Sequence, residues 1–120
     1  MDLTAISNEI TRNILELKKL EDELLPLAED KANALGKYEM VFAQTMVRLK
    51  NQSDMIDLEG TEIIWTTTGG LEKIVKGIIW EKSIRLDLAV SAFRVCQIKM
   101  DNKKTIINAL QSKLKYIEME

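Results

Sequence analysis

The residues with reactive or ligating side chains are few, and their spacing decides what they can do. Gly69 and Gly70 precede Leu71-Glu72-Lys73, which raises phosphate binding. A Walker-type loop needs a lysine directly after its last glycine and a Ser or Thr after that, so that backbone amides and the ammonium close on the phosphates. Here that order is missing, and the plainer reading is a short helix over 71–76, capped by Thr68 or Gly69 and ended by Gly77. Asp54, Asp57, Glu59 and Glu62 surround Gly60 and suggest a calcium loop. With Gly60 at the sixth position, Met55 falls at the first and Thr66 at the twelfth, so both terminal ligands are lost and an acidic surface loop is expected. Asp87 and Asp101 lie fourteen residues apart on one helical pattern, too far to share a carboxylate site.

The chain has no histidine and one cysteine, Cys96. Ser-His and Cys-His catalysis, a histidine-containing di-iron site and an intramolecular disulfide are therefore excluded, together with most zinc sites. Cys96 falls on an apolar row and reads as a small buried hydrophobe. No catalytic residue, cofactor site or metal site is assigned, and a non-enzyme is expected.

The elements that carry these residues are read from periodicity. The 120 residues are 46% hydrophobic and 30% charged, with five glycines and one proline. That balance suits one folded domain, 1–120, and the scarcity of turn residues argues for long helices over a β-sandwich. Leu3, Ile10, Leu17 and Leu24 recur every seven residues, with Ile6, Leu20 and Leu27 on the row offset by three and Asn13 and Ala34 at its other positions. This is a helix with a narrow seam, startable by Asp2 or Thr4 as cap. Beyond Pro26 the apolar row resumes at Ala28, Leu35, Phe42 and Leu49, with Ala32, Tyr38 and Met46 beside it. The step of four predicts a phase shift, and a kink or short break near Pro26.

In the second half Ile79, Leu86, Phe93, Met100, Ile107 and Leu114 form one row, and Ala89, Cys96, Leu110 and Ile117 its companion. Lys82 and Lys103 interrupt the companion row, where their stems can bury while the ammonium groups reach water. The elements expected are a helix over about 3–51, a connector over about 52–70, the short helix 71–76 and a helix over about 78–118, the last roughly 60 Å long. The fold class is all-α: a long antiparallel helical hairpin with an irregular connector. Ile14, Leu25, Val41, Trp80, Ile84, Ile98 and Ile106 fall off the single seam, so a second partner is expected, as in a dimeric helical bundle.

Thr61–Thr68 has strand composition but no evident strand to pair with. Ile63, Ile64 and Trp65 are its candidate partner-binding residues, with Trp65 either a plug for the bundle end or an exposed anchor. Charge is uneven: residues 1–70 carry −6 and residues 71–120 carry +4. Oppositely charged halves suit an internal helix pair. The alternative is a nucleic-acid surface on Lys73, Lys76, Arg94, Lys99, Lys104 and Lys113, with a role in recombination or replication and at most weak binding. The opening MDLTAISNEI has no basic n-region or apolar h-region, and no stretch approaches eighteen apolar residues. A cytoplasmic chain with no membrane partner is expected.

The closing NALQSKLKYIEME (Asn108–Glu120), with the upstream spacing Gly77, Ala89, Phe93, resembles small helical, coiled-coil-like proteins of phages and prophages of Gram-positive bacteria. The resemblance covers 77–118 better than 28–50, and the connector 60–70 departs from it by its threonines and aromatics. It implies a phage origin, the host-cell cytoplasm and an accessory role beside recombination or counter-defence genes, with an unidentified phage or host protein as partner. It brings no catalytic residues.

Overall fold

A computed structural model describes residues 2–51, 55–58, 61–64 and 68–119; side chains are described outside 52–68. Helix α1 (Leu3–Lys50) is opened by Asp2, whose Oδ1 accepts the Ala5 N–H at 2.7 Å while its carbonyl accepts the Ile6 N–H at 3.1 Å. This is N-capping by an aspartate, which satisfies one of the orphan donors of the first turn. Strands β1 (Met55–Leu58) and β2 (Thr61–Ile64) follow, then α2 (Thr68–Ile78) and α3 (Trp80–Glu118). The described residues are mostly helical, α1 packs on α3 as in a hairpin, and no helix among them is long and apolar enough to cross a membrane.

Two compact units divide the chain, Met1–Glu29 with Val90–Glu120 and Asp30–Ala89. In the first, α1 and α3 run antiparallel: the Cys96 thiol lies 3.4 Å from the Leu20 carbonyl oxygen and Lys103 Nζ 3.1 Å from Asn13 Oδ1. Its buried residues are Ile6, Ile10, Asn13, Cys96, Met100 and Ile107, with Leu17, Leu20, Leu24, Phe93, Leu110 and Leu114 half-buried between them. These are the two seven-residue rows of each helix facing one another, the arrangement that a narrow apolar stripe requires. Leu3, expected to open the row, is 44% exposed at the helix end.

In the second unit α2 makes the core. Leu71 and Val75, both fully buried, meet Leu49 and Ile79, and Tyr38, Val41, Phe42, Met46, Ile74 and Ile78 pack around them. The Tyr38 and Phe42 rings stack at 6.1 Å between centroids. Because α2 adds a second neighbour, this part of α1 buries a wider face than the seam alone. Val41, expected off the seam, is taken into this core.

Several expectations are corrected here, in whole or in part. Of the kink or short break expected near Pro26 the break is absent, since α1 runs through this exposed residue. The expected step of four holds in part: Ala28, Phe42, Met46 and Leu49 are buried or half-buried, while Ala32 and Leu35 are exposed. The earlier rows also continue, through Lys31, Tyr38 and Thr45 at seven-residue steps from Leu24 and through Ala34 and Val41 from Leu27. Lys31 and Thr45 occupy seam positions without being apolar. The short helix extends to Thr68–Ile78, and Gly77 lies within it at no positive φ. The change of helix comes at buried Ile79, whose carbonyl accepts the Lys82 N–H at 2.9 Å and the Ser83 N–H at 3.3 Å. Thr68 is already helical, so the residue before it, where a cap would sit, lies outside the described residues.

Finally, the connector is not wholly irregular and its strand is not alone. β2 pairs antiparallel with β1 in the register Met55↔Ile64, Ile56↔Ile63, Asp57↔Glu62 and Leu58↔Thr61. The acidic residues that suggested a loop had hidden the strand Met55–Leu58.

Candidate interaction surface

The best-defined polar site is in the first unit, where a seam position of α3 holds a lysine. Lys103 Nζ donates to Asn13 Oδ1 at 3.1 Å and also bonds and pairs with the Glu16 carboxylate. Asn13 is 3% exposed, and its amide Nδ2 donates to the Glu9 carbonyl at 2.8 Å. Both ends of the buried amide are thereby satisfied, which buried polar groups require. The hydrogen bond from Lys103, with its charge and that of Arg12 beside it, holds the Glu16 carboxyl below its usual range against the opposing effect of desolvation. The lysine stem buries as expected, but its ammonium turns inward to the amide as well as outward to the carboxylate. This cluster fixes how two helices meet and offers no reacting group.

Among the described residues no three His, Cys, Asp or Glu side chains converge as a metal site. Cys96 is buried, with its thiol against the Leu20 carbonyl, so it has no access to a substrate. Asp57 and Glu62 stand opposite one another in the β1–β2 register, whereas Asp54, Glu59 and Gly60 lie outside the described residues.

The candidate partner-binding residues are placed in part. Ile63 and Ile64 are in β2, opposite Ile56 and Met55, and Trp65 lies outside the described residues. The candidate nucleic-acid contacts are all exposed and are divided between the two units. Lys73 and Lys76 are on α2 in the second unit; Arg94, Lys99, Lys104 and Lys113 are on α3 in the first. Arg94 and Lys104 line a groove that Asp101 also lines, and Lys99 lines another with Glu16 and Glu23. Each groove therefore mixes signs, where a phosphate track would present one sign.

What remains is apolar and exposed. Of the residues expected off the seam, Ile14, Leu25, Trp80, Ile84, Ile98 and Ile106 are between 42% and 66% exposed. In the first unit Val95 and Ile98, at 48% and 51%, stand three residues apart on the side of α3 away from its buried row. Their neighbours at helical spacing are Ser91, Asn102, Thr105 and Ala109, all exposed and all uncharged. Reading apolar residues one by one found Ile98 and missed this row. Its signal in the sequence is the absence of charge at steps of four and three residues.

Comparison with known proteins adds no relative: no family description, curated protein or solved structure matches the chain.

Proposed function

We propose that this is a non-enzymatic accessory protein that acts by protein–protein interaction through its helical hairpin, as a homodimer. The resemblance of its second half to small phage and prophage proteins supports a phage-encoded origin and work in the host cytoplasm. The observation that carries the reading is the exposed apolar side of α3 in the first unit, centred on Val95 and Ile98. Apolar side chains that repeat at helical spacing on a surface are the mark of a face used in association. The site that does hold polar groups together, Asn13 with Lys103 and Glu16, supports a structural role for them.

The test is partner retention by wild-type protein and by Ile98→Glu, with far-UV circular dichroism to establish that both are equally helical. A phage or host protein retained by the first and lost by the second supports the reading. Equal retention by both, or a turnover activity in the purified chain, overturns it.

A further inference from the structure

We infer that the uncharged row of α3 in the first unit pairs with the same row of a second copy, antiparallel, with Arg94 of each copy facing Asp101 of the other. The inference rests on the reading of this face as an interface, and names its occupant and register. Ser91, Val95, Ile98, Asn102, Thr105 and Ala109 alternate by four and three residues, the spacing of a helix-pairing seam. Such a seam is flanked by two rim rows, and their charges choose the partner and its direction. One rim carries Arg94 and Asp101; the other carries Ala92, Lys99 and Ile106. Arg94, Ile98 and Asp101 line the same groove, so the two charges stand a helical turn to either side of the central isoleucine. Neither forms an ion pair within the chain among the described residues.

Each possible docking can be judged by what the rims meet. A parallel pair would set Arg94 against the partner's Lys99, twice. An antiparallel pair centred between Cys96 and Gln97 places Val95 beside Ile98, Ser91 beside Asn102 and Ala92 beside Lys99. Arg94 then faces Asp101 at both symmetric places. Sliding it one heptad toward the C-terminus sets Asp101 against Asp101 and Lys99 against Lys99. Sliding it one heptad the other way sets Arg94 against Arg94. Of these four dockings, only the centred antiparallel register meets opposite charges and no like ones. Two-fold symmetry makes it self-complementary, as closed homodimers are. A second copy is thus the occupant that the charges themselves specify.

Sedimentation equilibrium over a wide concentration range tests this on wild type, Arg94→Asp, Asp101→Arg and the swapped double variant R94D/D101R. Both substituted positions are exposed and helical, and circular dichroism checks that each variant folds. Wild type is expected to reach twice 13.7 kDa. Each single reversal turns two attractive rim pairs into repulsive ones and weakens self-association by roughly tenfold. The double variant recovers it, and the two single variants mixed together form a heterodimer more stable than either homodimer. Wild type that stays at 13.7 kDa throughout overturns the inference, as do single reversals without effect or a swap that fails to recover. A monomer that still loses a retained protein on Ile98→Glu would overturn this pairing and the homodimer, and leave standing the reading that this face binds another protein.

Discussion

Lys103 Nζ lies 3.1 Å from Asn13 Oδ1, so a lysine on the seam of α3 answers a buried amide on the seam of α1. A polar pair inside an apolar seam costs stability against two hydrophobes but fixes which positions meet, because any slide leaves the amide unpaired. Removing one partner should hurt more than removing both. Lys103→Met is expected to cost about 1–3 kcal/mol by stranding the Asn13 oxygen, and N13L/K103M to recover most of it. Urea unfolding of the two single variants and the double gives the coupling; simple additivity would mean that the pair does not act as one.

Glu16 links the same cluster to pH. Its carboxylate is held below the usual 4.5 chiefly by the hydrogen bond from Lys103. A lowered folded pKa contributes stability that is present above the unfolded value and lost as pH falls through the folded one. Thermal unfolding of wild type should therefore exceed that of Glu16→Gln near neutral pH, and the gap should close in strongly acidic buffer. A gap that is constant with pH would detach Glu16 from Lys103.

Much of this hairpin was legible. On α3 all nine apolar positions read from the seven-residue rows, Leu86 to Ile117, are buried or half-buried, because that helix keeps apolar residues at most seam positions. On α1 past Pro26 the same method found Ala28, Phe42, Met46 and Leu49, all buried or half-buried, but passed over Lys31 and Thr45, which sit at positions that packing, not side-chain type, selects. The β1 strand was hidden by Asp57, because composition says little where two short strands stabilise each other by pairing. The candidate face was legible only as scattered residues. Its continuity depends on polar but uncharged members, Ser91, Asn102 and Thr105, which a count of hydrophobes passes over.

Pro26 and Gly36 both lie inside α1 at exposed positions, and a Cβ on Gly36 would meet nothing within 4 Å. Proline removes one helical donor and glycine adds unfolded-state freedom. Gly36→Ala is expected to stabilise by about 1 kcal/mol and Pro26→Ala by up to about 3 kcal/mol. Chemical denaturation reads both. A loss of stability on Pro26→Ala would mean that the backbone restriction imposed by the ring is needed for packing.

The second unit depends on α2. Leu71 is fully buried against Leu49, Val75 and Ile79, so Leu71→Ala is expected to cost about 2–5 kcal/mol. Leu88, 65% exposed on α3, is the control, and its alanine variant should change stability by less than about 0.5 kcal/mol. Equal effects on the unfolding midpoint would mean that α2 is not the core of this unit.

Nucleic-acid binding is the remaining functional alternative, and the grooves argue against strong binding. Arg94 and Lys104 share theirs with Asp101, and Lys99 shares its own with Glu16 and Glu23, so a phosphate backbone in either groove would meet carboxylates beside the cations. Phosphate contacts dominate such binding and release counterions, which makes affinity fall steeply with salt. Single- and double-stranded DNA should therefore bind only in the non-specific range, on the order of 10⁻⁴–10⁻⁶ M at physiological salt. Fluorescence anisotropy with labelled oligonucleotides at two salt concentrations measures it. Sub-micromolar binding that K99E/K104E abolishes would make α3 a nucleic-acid surface, and the exposed Val95 and Ile98 would then need another explanation.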